Sequence, residues 1–190
     1  MEDSLEGQRE GFRSLPSYIT AIQNSNPNTY IQMSTDYESH QFLRLFICPD
    51  ESRDSFIHCR RFIAVDGIFP KTKFAQTLLL AVTIDANGHT LLLAWAIVES
   101  ENTSSWEYFL NNLQLAIPII TTEAITLISD RDKGLIAASN VLPLTVVRAY
   151  CCHHLRENLC SVHGRGMATY FGKIARACNR EEFESALLQL

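Results

Sequence analysis

The chain has 190 residues, 46% of them hydrophobic, with 16 Lys and Arg against 21 Asp and Glu and a formal net charge of −5. That length suits one core with an appendage. The acidic start MEDSLEGQRE is unlike a secretory leader, and no apolar run nears the roughly 18–20 residues of a membrane span, so a soluble intracellular protein with no membrane partner is expected.

Taken in chain order, Ser4 to about Asn24 carries Leu5, Phe12, Leu15, Tyr18, Ile19 and Ile22 at helix-compatible spacing, interrupted or restarted at Pro16. The stretch NSNPN marks a loop, and strands are predicted near Thr29 to Met33 and Phe42 to Cys48. Residues 1–57 read as a preceding subdomain. Strands follow at Arg61 to Asp66, Thr77 to Ile84 and Thr90 to Val98, the last two joined by DANG, whose Asn-Gly pair favours a tight hairpin. In ENTSSWEYFLNNLQLAI, Ser104 and Glu107 fit a capping box, and Trp106, Phe109, Leu110, Leu113 and Ile117 recur at helical spacing. A strand from Ala124 to Ser129, a helix through RDKGLIAASNVL, a strand from Thr145 to Ala149 and helices to the end complete the pattern.

The order β-β-β-α-β-α-β predicts an α/β fold with a mixed sheet, since later parallel pairings need crossover helices. The ribonuclease H-like fold has this architecture, here with an N-terminal α+β appendage, a core over residues 58–150 and a helical segment over 151–190. Two buried strands then finish on carboxylates, Asp66 and Asp130. Parallel neighbours would hold both at one side of the sheet, where like charges repel unless a divalent cation joins them. Oxygen ligands suit Mg²⁺ or Mn²⁺, and a metal pair can activate a nucleophile against a phosphodiester. Two plainer roles compete: Asp130 as the N-cap of the helix after it, and Asp66 serving the turn DGIF.

The segments RRFIAVDGIFPKTKFAQTLLLAVTIDANGHTLLLAWAIVESENTSSWEYFLNNL, ITLISDRDKGL and AYCCHHLRENL, in this order, resemble the catalytic domain of Mutator-like element transposases. The likeness runs from about His58 to the end, and the upstream LRLFIC and SFIHC resemble the segment before that domain. It implies a ribonuclease H-like fold, metal-dependent cleavage and joining of transposon DNA ends in the nucleus, and a triad of two aspartates and a glutamate. Asp66 and Asp130 take the first two positions as catalytic and metal-binding residues, ahead of Asp132 for the second. The third acid in the family follows a helical insertion beyond the Cys-His motif. Glu181, Glu182 and Glu184 read as a solvated face, so an incomplete or decayed copy is expected, with a catalytically inactive DNA-binding or interaction module as the alternative. Ile68, where the family often has a small hydroxyl residue, and nearby Pro70 also depart from the pattern.

Expected partners are DNA, intact transposase or a second copy. Arg131, Lys133, Arg148 and Arg156 are the expected DNA contacts, from a basic stretch that also holds Arg165, Lys173, Arg176 and Arg180 against Asp132 and Glu157. A solvated helical face explains that stretch equally well. Cys151 and His154 fit the family's Cys-x-x-His motif. With Cys160 and His163 they suggest zinc, but on one helix the two pairs lie half a turn apart and about 13.5 Å along the axis, so zinc is not expected. The remaining cysteines, Cys48, Cys59, Cys152 and Cys178, are expected as thiols, and His40, His58 and His89 as turn or surface residues.

Overall fold

The computed structural model describes residues 3–39, 41–70 and 76–189; His40 lies outside them. Helix α1 covers Asp3–Ser25 and runs through Pro16 instead of restarting there. Proline removes one backbone donor and crowds the preceding turn, and here the helix spans it, with Phe12 against Phe42 at a ring separation of 5.3 Å.

Seven strands form one sheet: β1 (Tyr30–Thr35), β2 (Phe42–Cys48), β3 (Phe62–Ile68), β4 (Thr77–Ile84), β5 (Thr90–Val98), β6 (Ile125–Ser129) and β7 (Val146–Tyr150), in the order β1-β2-β5-β4-β3-β6-β7. The pairs β1–β2, β2–β5, β5–β4 and β4–β3 are antiparallel. Thr126 N donates to Arg61 O at 3.1 Å, which sets the start of β6 beside the start of β3, so these two run the same way. This five-strand series, β5-β4-β3-β6-β7, with a meander on one side of β3 and crossover strands on the other, is the ribonuclease H-like arrangement.

The sequence places β4 and β5 to the residue. It ends β3 two residues early: Asp66, Gly67 and Ile68 pair with Leu80, Leu79 and Leu78, so the strand carries its carboxylate within it and not at its tip. Between β2 and β3 lie α2 (Asp50–Ser55) and a 3₁₀ turn whose Phe56 is fully buried. Helix α3 (Thr103–Ala116) starts one residue before the expected capping box, because Asn102 is the cap: its side chain accepts from Ser105 N at 2.9 Å. A short α4 (Ile119–Thr122) leads to β6. The next predicted helix divides into α5 (Lys133–Ala138) and a 3₁₀ turn at Ser139–Val141.

The chain separates into two compact units, Met1–Leu127 with Arg131–Arg148, and Ile128–Asp130 with Ala149–Leu190. In the first, alternation along the strands sends Phe46, Ile63, Val65, Leu79, Ala81, Ala94, Ala96 and Val98 into one core with Trp106, Phe109, Leu110 and Leu113 of α3 and Leu135 and Ala138 of α5. Phe109 sits edge-on to Phe46 at 5.5 Å and to Trp106 at 5.8 Å. Each large side chain buried this way contributes about 1.5–3 kcal/mol before entropy is subtracted.

The second unit holds α6 (Cys152–His163), α7 (Met167–Ala175) and α8 (Arg180–Leu187), none of which has a fully buried residue. Gly164, at φ 89°, ends α6 in a conformation that favours glycine. Asn179 caps α8 by accepting from Glu182 N at 2.9 Å, and Glu182 Oε2 accepts from Cys178 N at 2.8 Å. Among the described residues no helix is long and apolar enough to cross a membrane.

Candidate functional site

Asp66 leaves β3 on an exposed side chain, and its Oδ1 accepts from Gly67 N at 3.0 Å. The reason for glycine at 67 is the neighbour above it. A Cβ there would stand 2.9 Å from Oε1 of Glu101 and 3.0 Å from its Cδ and Oε2. Glu101, in the turn between β5 and α3, is held in turn by the fully buried Trp106, whose Nε1 donates to Oε1 at 3.3 Å. Glu101 thus lies on the α3 side of the sheet, the opposite face from Asp66, because adjacent strand residues point to opposite sides. Sequence reading does not weigh it, because it seeks the third acid downstream of Asp130, and no local pattern marks a glutamate brought close by the β3-β4-β5 order.

Of the two aspartates in SDRDKG, Asp132 is the helix cap: its Oδ1 accepts from Leu135 N at 2.9 Å. Gly134, next along α5, lies so near α3 that a Cβ would be 3.0 Å from Thr103 N and 3.1 Å from the Asn102 carbonyl carbon. Asp130 therefore does not do the capping work. It is half-buried just past β6, and its carbonyl accepts from Ser129 Oγ at 2.8 Å. Asp66 belongs to the first compact unit and Asp130 to the second.

The expected Mg²⁺ or Mn²⁺ is overturned. Among the described residues no group of three or more His, Cys, Asp or Glu side chains is placed to hold a metal ion. Mg²⁺ demands near-octahedral oxygen geometry, and several acids are otherwise occupied: Asp132 caps α5, Glu182 Oε2 accepts from Cys178 N at 2.8 Å, and Glu184 Oε1 accepts from Arg180 Nε at 2.7 Å. The described residues do not fit the cation.

Cys151 occupies the N-cap position of α6, and its N–H donates to Ser129 O at 2.7 Å. Helix α6 then runs unbroken to His163, so the bend that would bring Cys160 and His163 round to Cys151 and His154 is not made. His154 packs edge-on to His153 at 5.5 Å, and its Nδ1 is buried with no hydrogen-bond partner among the described residues. Of the expected DNA contacts, Arg131 and Lys133 are exposed at the start of α5. Arg148 Nη1 donates to Ile136 O at 3.3 Å and to Ser139 Oγ, tying β7 to the end of α5. Arg156 forms an ion pair with Glu157 at 2.9 Å, a partly exposed pair of the kind that contributes little to stability.

A family model described as MULE transposase domain matches residues 62–158, just over half of the 190 residues. No curated protein matches the chain. Among solved structures, the Mos1 transposase paired-end complex with left transposon end is similar over 73% of this chain and 54% of that one, at 15% identity and a TM-score of 0.34. The catalytic domain of Mos1 mariner transposase is similar over 73% of this chain and 79% of that one, at 15% identity and a TM-score of 0.29. The chain thus spans about half the length of the first of these proteins. The fold assignment comes from the strand order, and the matched residues run from the first residue of β3 into α6: the chain belongs to the MULE transposase domain family.

Proposed function

We propose that this domain is a transposase-derived module that engages DNA or an intact transposase and does not itself cut. The observation that carries this reading is that no group of three or more His, Cys, Asp or Glu side chains is placed to hold a metal ion among the described residues. Exposed Arg131 and Lys133 at the start of α5, with Arg165, Lys173 and Arg176 farther on, support phosphate contact. They would act through counterion release and without reading sequence. The nucleus is the proposed site of action, testable by imaging a fluorescent fusion.

The deciding experiment runs gel retardation beside a plasmid-nicking assay with transposon-end DNA. Binding is expected to survive chelator, Asp66→Asn and Asp130→Asn, and to weaken steeply as salt rises. Metal-dependent nicking lost in either variant would overturn the reading in favour of an active transposase core.

A further inference from the structure

Of the ten asparagines in the chain, Asn87 alone precedes a glycine. It is exposed at the tip of the β4–β5 hairpin, where Gly88, also exposed, takes φ 90° with nothing within 4 Å of the place a Cβ would occupy. Asparagine is among the heat-labile residues, and its lability is greatest before glycine, which has no Cβ to crowd the approach of the next amide nitrogen to Cγ. Other asparagines are held. Asn102 and Asn179 commit their side chains to capping α3 and α8. Asn112 accepts from Tyr30 Oη at 2.9 Å and donates to Tyr108 O at 2.8 Å. Asn111 and Asn158 lie inside α3 and α6, where helical hydrogen bonding fixes the amide that follows.

Within the hairpin, one side chain grips the reacting pair. Gly88 N donates to Asp85 O at 3.2 Å, the long end of the hydrogen-bond range. Asp85 Oδ1 accepts from Asn87 N at 2.9 Å and from His89 N at 2.8 Å, so it fastens the amides on either side of Gly88. Attack by Gly88 N on Asn87 Cγ needs rotation about the Asn87 Cα–C bond and builds negative charge on the attacked amide. The fastening resists the rotation, and the carboxylate beside it disfavours the charge. Both effects make Asp85 a brake.

We propose that Asn87 is a self-modification site, converting slowly to aspartate and isoaspartate at a pace set by Asp85. Gly88 N loses its proton to solvent and bonds to Asn87 Cγ; the Cγ–Nδ2 bond breaks, and the leaving nitrogen takes up a proton to depart as ammonia. Water then opens the cyclic imide. Addition at Cγ restores the ordinary peptide bond with aspartate at this position, whereas addition at the main-chain carbonyl leaves the chain running through the side chain, one carbon longer. Either product sets a new carboxylate beside Asp85. The proposal stands apart from the DNA reading, because its test contains no DNA.

The test ages the intact protein at physiological temperature and neutral pH, then maps peptides after digestion at mildly acidic pH, so that the digestion does not itself make the product. Ion exchange is expected to resolve a growing species with one added negative charge, peptide mapping to put the change at residue 87, and an isoaspartyl carboxyl methyltransferase to label it. Asn87→Gln, at an exposed position, should lose the species, and Asp85→Ala should form it severalfold faster. An unchanged charge profile, conversion at another asparagine before Asn87, a product without the isoaspartyl form, or an Asp85→Ala rate no higher than the parent's would each overturn the proposal.

Discussion

At Gly67 a single hydrogen atom makes room for a carboxylate. Gly67→Ala puts a methyl 2.9 Å from Glu101 Oε1 and forces that group off the Trp106 indole. The end of a flexible side chain yields more readily than backbone, so a loss of no more than about 1 kcal/mol is expected in urea unfolding, most of it recovered by adding Glu101→Ala. A double-mutant cycle with no coupling between the two positions would contradict the packing described. Two aspartates make a second contrast. Asp132→Ala removes the α5 cap and should cost about 1 kcal/mol, while Asp130→Ala leaves that cap in place and should cost less by the same measurement. The sequence shows both acids after a strand and before a helix, and nothing in it says which one turns its oxygen back onto the helix. That choice follows from where the chain leaves β6, which is tertiary information.

At the scale of elements, legibility followed local chemistry. Strands β4 and β5 are readable to the residue because a sustained apolar run meets an Asn-Gly turn, and Gly88 indeed sits at φ 90°. The turn also carries a titratable group. Asp85 Oδ1 accepts from Asn87 N at 2.9 Å and His89 N at 2.8 Å, and the hydrogen bond from the His89 backbone is foremost in holding its carboxyl below the usual carboxylate range. A pKa depressed by folding stabilises above the unfolded value and loses that contribution as pH falls through the folded one. Thermal melts between neutral pH and about pH 3 should therefore show an acid-side loss that is smaller in Asp85→Asn; equal slopes would discount the turn. Other connections were opaque. Arg44 reaches from β2 to Glu99, Ser104 O at 3.0 Å and Ser104 Oγ at 3.1 Å, with its guanidinium 5.5 Å from the Tyr108 ring centre. Arg44→Met should cost about 1–2 kcal/mol in the same unfolding assay, since it strips charge-assisted hydrogen bonds from an exposed carboxylate and from Ser104. The sequence offers no pairing rule linking positions 44 and 99.

Across the whole molecule, the fold was more legible than the site. Strand order follows from counting strands and crossovers, a matter of pattern. A ligand sphere depends on ångström-level convergence of side chains that neither spacing nor family likeness guarantees, and among the described residues no three acids, histidines or cysteines converge into a group that holds a metal. Burial also divides the chain. The first unit encloses Trp106, Phe109, Leu79 and their neighbours, whereas α6, α7 and α8 enclose no side chain fully. Local opening should cost least in those helices. Limited trypsin digestion is expected to cut after Arg165 or Arg176 before Arg44 of β2 or Arg148 of β7, and amides of α7 should exchange faster than those of α3. Equal protection would mean that the helices are held by contacts the burial pattern does not show.

The continuation of β3 beyond Asp66 to Ile68 also governs which changes of chain length this protein tolerates. With its tail locked to Leu78 and Leu79, the strand has no slack downstream, and neighbouring side chains leave a pleated ribbon on opposite sides. One codon gained or lost between Ile63 and Asp66 would leave the carboxylate in register and slip the residues before the change by one place, turning Ile63 out of the hydrocarbon interior, whereas the same length change at Ala86 would alter only a surface bend. Homologous copies drifting in length should therefore accumulate their insertions and deletions in the hairpin and spare this strand.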